Sequence, residues 1–198
     1  MTTNNLYFLR TDPTFNPFLT LDHALTPEEC QQAIDLGESF TMRKPVAGKD
    51  HRLDVGRSCW LSDIEFNGES AWLYQRVMDI FNTVNYQSFN YDITGLEGIQ
   101  YSRYDQPGDQ YGRHMDMNTK EIPLTRQQRK LGFSIFLDRP ENYEGGHFLG
   151  WDSENKLQIN QPQGSISIYP SWLVHQITPM EKGVRRSIDG WFQGPVFR

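Results

Sequence analysis

Glycine and proline cut the second half of this chain into short pieces, and that punctuation constrains the fold more than any other feature. From about residue 90 the β-rich runs GLEGIQYSRY, KLGFSIFLDR, GSISIYP, WLVHQIT and RRSIDGWF follow one another. Pro107-Gly108, Gly145-Gly146, Pro162, Gly164, Pro170, Pro179 and Gly183 punctuate them. Long helices do not survive such interruption, whereas strands bounded by turns require it. The first half reads differently. Over residues 26–38, Thr26 can cap a helix, Pro27 suits its first position, Glu29 completes a capping box and Gly37 reads as the stop. Residues 69–83 place Trp72, Leu73, Val77, Ile80 and Phe81 near helical spacing, which predicts a second, amphipathic helix. The pattern predicts an α+β fold, with helical support over about 1–90 and an antiparallel jelly-roll core over about 91–198. A chain of 198 residues can bury most of its apolar surface in one domain, so residues 1–198 are expected to form a single unit.

Composition narrows the function classes. A net charge of −6 argues against a binder that tracks nucleic-acid phosphates, which needs basic residues to displace counterions. No apolar run is long enough to span a membrane, and MTTNNLYFLR lacks the basic stretch and apolar core of a secretory signal. Cys30 and Cys59 make neither a disulfide framework nor a cysteine metal site. The expectation is a cytoplasmic protein in a reducing compartment.

The run Tyr111-Gly112-Arg113-His114-Met115-Asp116 contains His-x-Asp. On an extended segment residues i and i+2 share a face, so His114 and Asp116 can reach one metal together. One further ligand would complete a two-histidine, one-carboxylate triad, which leaves coordination positions open for O2 and a bidentate co-substrate. Taken alone, the pair is better explained as a solvated strand end. His175, in Trp172-Leu173-Val174-His175-Gln176-Ile177-Thr178-Pro179, changes the balance. A turn at Pro179–Gly183 and a returning strand from Val184 predict a hairpin with His175 nearly opposite Arg185. A guanidinium suits a dicarboxylate because its fork binds carboxylate bidentately. A core histidine and a surface charge are the ordinary explanations of these two residues; their coincidence with His-x-Asp argues for a site.

These residues resemble the Fe(II)/2-oxoglutarate-dependent dioxygenase superfamily, in particular its prolyl 4-hydroxylase-like branch, over roughly residues 96–194. The family pattern is His-x-Asp, a distal histidine, and a basic residue ten positions later, as in His175 and Arg185. Gly145-Gly146 matches the family's glycine pair, and Trp191 its tryptophan after the basic residue. The resemblance implies a double-stranded β-helix (jelly-roll or cupin-like) core. It implies iron held by His114, Asp116 and His175, and 2-oxoglutarate held by Arg185 and the Tyr104 hydroxyl. Tyr111, Arg129 and Trp191 fall on the substrate side. For Tyr104 and Tyr111 the competing explanation is aromatic packing, and for Arg129 a surface charge.

Two departures stand out. The basic residue is arginine, where many animal and plant prolyl hydroxylases use lysine. His147 follows the glycine pair, where an acidic residue is frequent, and is a rival third ligand; it ranks below His175 because no suitably placed cation follows it. His23 and His51 have no partners in the pattern. The resemblance implies consumption of O2 and 2-oxoglutarate, release of succinate and CO2, hydroxylation of substrate, and ascorbate as reductant. The substrate it implies is a proline-containing peptide or protein, hydroxylated at C4. Another protein side chain or a free amino acid is the alternative, and a jelly-roll binding module without catalysis is the alternative of a different class. Residues 41–58 and 117–128 are expected to form substrate-side loops.

Overall fold

The computed structural model describes residues 17–47, 52–53, 56–117, 126–152 and 154–196. Elements follow in the order β1 (Leu19–Leu21), α1 (Pro27–Ser39), β2 (Val46–Ala47), β3 (Arg52–Leu53), β4 (Arg57–Ser58), β5 (Trp60–Ile64) and α2 (Ala71–Val84). After a π-helical turn at Asn85–Phe89 come β6 (Gly95–Tyr104), β7 (Gln110–His114) and β8 (Gln127–Phe136). A 3-10 turn leads to β9 (Tyr143–Gly145), β10 (Phe148–Asp152), β11 (Asn155–Gln158), β12 (Ile166–Pro170), β13 (Val174–Ile177), β14 (Met180–Gly183) and β15 (Arg185–Pro195).

The strands form a jelly-roll sandwich of two antiparallel sheets. The larger has the order β1-β12-β8-β15-β6-β5, the smaller β11-β10-β13-β7-β4. Two apolar clusters follow. Alternate residues of the larger sheet, including Ile99, Tyr101, Phe133, Ile135, Ile188 and Phe192, pack against the two helices. The intervening residues face the smaller sheet, where Phe18, Tyr104, Phe136, Phe148 and Tyr169 form the second cluster. This is the period-two division expected of strands buried on both faces. Cys30 and Cys59 are buried and unpaired. Among the described residues no helix is long and apolar enough to cross a membrane.

Helix α1 starts as its sequence predicts. The Thr26 hydroxyl accepts from Glu29 N at 3.2 Å, and Glu29 Oε2 accepts from Thr26 N at 2.8 Å. Arg76 of α2 reaches across to Glu29 at 2.6 Å and to Ala24 O at 2.7 Å, tying the two helices together. Gly37 does not end the helix, which continues to Ser39. Its role is close approach: a Cβ there would overlap the Tyr101 ring. The segment before residue 90 also does more than supply helical support, because β1, β4 and β5 are edge strands of the two sheets. Of the expected loops, 48–51, 54–55 and 118–125 lie outside the described residues, as does His51.

Gly37→Ala tests this packing, because helix propensity and sterics pull in opposite directions. Propensity favours alanine by about 1 kcal/mol. Overpacking a buried ring typically costs about 1–3 kcal/mol. Tyr101 is fully buried and its hydroxyl donates to Glu38 at 3.0 Å, so it has little room to yield. The expected result is a lower midpoint in denaturant unfolding. A raised midpoint would mean that the ring moves aside.

Candidate active site

Strands β7 and β13 pair antiparallel with His114 directly opposite His175. Asp116 lies two residues past the end of the paired region, in the bend after β7, and turns back towards both rings. His114 Nε2 is 3.5 Å from Asp116 Oδ1, and His175 Nε2 is 3.6 Å from Asp116 Oδ2. One ligand atom from each of the three lies within 4.8 Å of the others. These separations are long for hydrogen bonds, and Oδ2 is buried with no hydrogen-bond partner. Each ring is oriented by its other nitrogen: His114 Nδ1 lies 2.8 Å from Gly112 O and His175 Nδ1 2.9 Å from Leu173 O. A carbonyl can only accept, so each Nδ1 carries the proton and each Nε2 lone pair faces Asp116.

The electrostatics favour the same forms. Burial holds the His175 imidazole below its usual pKa, hence neutral, which is the ligating state. Burial opposes ionisation of Asp116, but His175 and His114 outweigh it and hold the carboxyl below the usual carboxylate range. Gly132 leaves room for this carboxylate, since a Cβ there would stand 2.6 Å from Asp116 Oδ2 and 2.8 Å from the Tyr169 ring. Two imidazoles with their Nε2 turned inward and a carboxylate whose buried Oδ2 has no hydrogen-bond partner are a donor set that fits a divalent metal, in the combination typical of non-haem iron.

Arg185 lies in the same cavity, reached differently from the hairpin that the sequence predicts. His175 and Arg185 are not on paired strands. β13 belongs to the smaller sheet and β15 to the larger, and the chain crosses between them through β14, which pairs with β9. The two side chains approach across the sandwich interior, where both line one cavity. Arg185 is 2% exposed, and its Nε and Nη2 have no hydrogen-bond partner. Among the described residues it forms no ion pair with a carboxylate, which is an expensive state for a buried cation unless an anion arrives. Tyr104 is its cross-strand neighbour on β6. Burial keeps the Tyr104 phenol well above its usual pKa, so it stays a neutral hydroxyl able to donate to an anion. The glycine pair is required here: Gly145 and Gly146 have φ of +78° and +59°, and a Cβ on Gly146 would meet the Arg185 stem at 2.9 Å.

An open groove of about 590 Å³ adjoins the cavity, and Tyr111, Arg57 and Trp191 line both. Tyr111 stacks on His114 with ring centroids 3.6 Å apart. Arg129 is held at the groove wall by Glu97, at 2.6 and 2.8 Å, and by the Trp191 ring at 3.8 Å. His147 is exposed, 3.4 Å from Gln158, and does not line the cavity. His23 is exposed in a left-handed turn.

Two charged cavity residues escape the sequence reading. Asp189 was detectable, because counting in twos from Arg185 along an extended strand gives Ser187, Asp189 and Trp191 on one face. Arg57 carried no such signal: it stands alone on a two-residue edge strand whose place depends on pairing with Tyr111.

Comparison with known proteins agrees with this geometry. Residues 99–193 match the profile of the 2OG-Fe(II) oxygenase superfamily. A PKHD-type hydroxylase of Synechococcus elongatus is 34% identical over 98 residues, covering 50% of this chain and 44% of that one. One from Shewanella baltica is 34% identical over 96 residues, covering 48% and 42%. The matches thus take in less than half of those relatives' length. Among solved structures, the chain is similar to a prolyl hydroxylase of Trichoplax adhaerens bound to a hypoxia inducible factor peptide, with TM-score 0.72, 19% identity and coverage of 89% and 83%. It is also similar to the viral collagen prolyl hydroxylase of Paramecium Bursaria Chlorella virus-1, with TM-score 0.69, 18% identity and coverage of 90% and 97%. At such identities the structural likeness speaks for the fold. The likeness to the 2OG-Fe(II) oxygenase superfamily therefore rests on residues 99–193, just under half of the chain, and the fold is one shared with prolyl hydroxylases.

Proposed function

We propose that this chain, as a single domain over residues 1–198, is an Fe(II)- and 2-oxoglutarate-dependent hydroxylase whose substrate is a prolyl residue in an extended peptide, hydroxylated at C4. The observation that carries the oxygenase part is one cavity holding both halves of the chemistry. Two Nε2 lone pairs and an unpartnered carboxylate stand on one side, and a buried guanidinium without a counter-anion on the other. In this reading His114, Asp116 and His175 hold the iron, while Arg185 and the Tyr104 hydroxyl hold the distal carboxylate of 2-oxoglutarate. Iron bound there with 2-oxoglutarate and O2 supplies the oxidising power, with one oxygen atom entering substrate and the other entering succinate as CO2 leaves. The protein's own contribution is positional. The carbonyls of Gly112 and Leu173 fix the imidazole tautomers, and the surrounding aromatic side chains exclude water. Ascorbate serves as the reductant that keeps the iron ferrous.

The prolyl part rests on the groove. Trp191, with Arg129 over one face of its ring, and Tyr111, between the His114 ring and the Arg57 guanidinium, line its junction with the cavity, an aromatic surface against which a pyrrolidine packs well. A polyproline segment is already extended, so binding it costs little ordering entropy. The structural neighbours named as prolyl hydroxylases support the same choice. Incubation with Fe(II), 2-oxoglutarate and ascorbate should yield succinate, and a panel of proline-rich peptides should gain one oxygen atom by mass. Succinate without any hydroxylated peptide, across a varied panel that includes free proline, would sink the prolyl substrate and leave the oxygenase standing.

Ligand assignment has its own test. His114→Ala, Asp116→Ala and His175→Ala should each abolish succinate formation and metal retention while the far-ultraviolet circular dichroism stays near wild type. His147→Ala should behave as wild type, and the reverse result would transfer the third ligand to His147.

The anchor is tested separately. Losing a buried charge partner of a carboxylate typically costs about 2–5 kcal/mol. Arg185→Ala should therefore raise the apparent KM for 2-oxoglutarate by roughly 30-fold or more, with metal affinity nearly unchanged. An unaltered KM would place the anchor elsewhere.

A further inference from the structure

The wall between the cavity and the groove carries a hydrogen-bonded chain centred on Asp189. Arg57 Nη2 donates to Ser102 Oγ at 3.2 Å, and Ser102 Oγ donates to Asp189 Oδ2 at 2.7 Å. From the other side, Arg185 Nη1 lies 3.5 Å from Ser187 Oγ, which donates to the same Oδ2 at 3.0 Å. Ser134 donates to Oδ1 at 2.7 Å. The spacing is imposed by the sheet: Ser187 is paired with Ser102, and Asp189 with Gln100 and Ser134. Three hydroxyls thus donate to this carboxylate, and among the described residues no Lys, Arg or His forms a direct ion pair with Asp189.

The two cations at the ends of this chain are also unusual. Arg43, Arg76, Arg103, Arg129 and Arg186 each meet a carboxylate within 3.3 Å. Arg57 and Arg185 do not, and each has a buried Nε with no hydrogen-bond partner. Arg57 opens onto the groove, and Arg185 faces the cavity interior. Arg57 reaches Asp189 through Ser102, and also Asp63 through Gln100 at 3.0 Å, while Arg185 stands beside Ser187, which donates to Asp189. With hydroxyls between them the charges interact at a distance, in a region largely shut off from water, where screening is weak.

We infer that Asp189 is a positioning residue that couples the two arginines, so that the charge state at Arg57 on the groove side alters 2-oxoglutarate binding at Arg185. This rests on the reading of Arg185 as the co-substrate anchor. The sign follows from Coulomb's law. Arg57 offsets part of the negative potential of Asp189. Removing that offset leaves Asp189 free to repel an incoming dianion, and 2-oxoglutarate binds more weakly. Arg57's own distant attraction for the dianion is the same in either background; the part of its effect that depends on Asp189 is its hold, through Ser102, on where that carboxylate lies, and this part vanishes with the charge of Asp189. A substrate group that shields Arg57 is expected to act in the same direction as its removal. By reciprocity, bound 2-oxoglutarate weakens the hold on such a group by the same factor.

The test is a double-mutant cycle read by binding instead of turnover. Isothermal titration of 2-oxoglutarate into Mn(II)-loaded protein is carried out without oxygen on wild type, Arg57→Gln, Asp189→Asn and the double variant. Circular dichroism and thermal melting check that each is folded. Arg57→Gln should weaken 2-oxoglutarate at least threefold, and the double variant should bind within twofold of Asp189→Asn alone. An equal effect of Arg57→Gln in both backgrounds, or none in the native one, overturns the coupling. Absence of any 2-oxoglutarate binding to wild type would instead overturn the assignment of the anchor. Should Asp189→Asn prove unstable, Ser102→Ala replaces it: cutting the bridge alone should likewise shrink the Arg57→Gln effect below twofold.

Discussion

The pairing of His114 with His175 across two short strands is the contact on which the site depends. Neither β7 nor β13 is long, and the ladder between them is irregular between His175 and Ile177. Yet the register is strongly specified. A slip by one residue would turn His175 to the outer face and bring Val174 or Gln176 inward, because side chains alternate with a period of two. Ile177 in the second apolar cluster, and Phe148, whose ring lies 5.7 Å from that of His175, hold the strand in place. The metal-binding geometry is therefore a consequence of core packing in the smaller sheet, with the two backbone carbonyls making the final adjustment of the rings.

Charge is the second constraint. A cavity that encloses Arg57, Arg185, Asp116 and Asp189 has no net formal charge from these four groups, with both imidazoles neutral. Adding a divalent metal and a dianion preserves that balance, whereas adding either alone does not. The buried guanidinium of Arg185 would be costly in a protein that bound nothing there. Its open donors, held by Tyr104 and Phe136 at 5.3 and 5.8 Å, are accordingly better explained by a carboxylate ligand than by stability.

Much of this was legible in the sequence, for reasons that differ by residue. His-x-Asp could be read because its geometry is local: i and i+2 on an extended chain share a face wherever that chain lies. The α1 cap was legible for the same reason. The pairing of His175 with Arg185 was read as a hairpin, and here the chain took another path. The Pro179–Gly183 segment is itself a strand, β14, which carries the chain from one sheet to the other. Both residues still line one cavity because the sandwich brings its two inner faces together, as cross-strand pairing would have brought two neighbours. Gly37 was misread because a glycine near a helix end carries the same local signal whether it stops the helix or admits a neighbouring ring. Arg57 was out of reach, since its position is set by an edge pairing with residues far along the chain.

Strand β15 shows why fold and site cannot be separated here. Ile188 and Phe192 point into the helix-side core, with Phe192 stacked on Phe81 of α2 at 3.5 Å between ring centroids. Arg185, Ser187, Asp189 and Trp191 alternate with them and line the cavity. A displacement of the helices would reach the cavity through this single strand, because a pleated strand moves both of its faces together. The reverse also holds. Gly190, whose missing Cβ makes room for the Phe133 ring at 2.6 Å, lets the strand lie close to its neighbours at the point where Asp189 receives the Ser102 and Ser134 hydroxyls. The same close fit that stabilises the core thus fixes the carboxylate to which both arginines are tied, and a polar network of this kind stays ordered only in so rigid a setting.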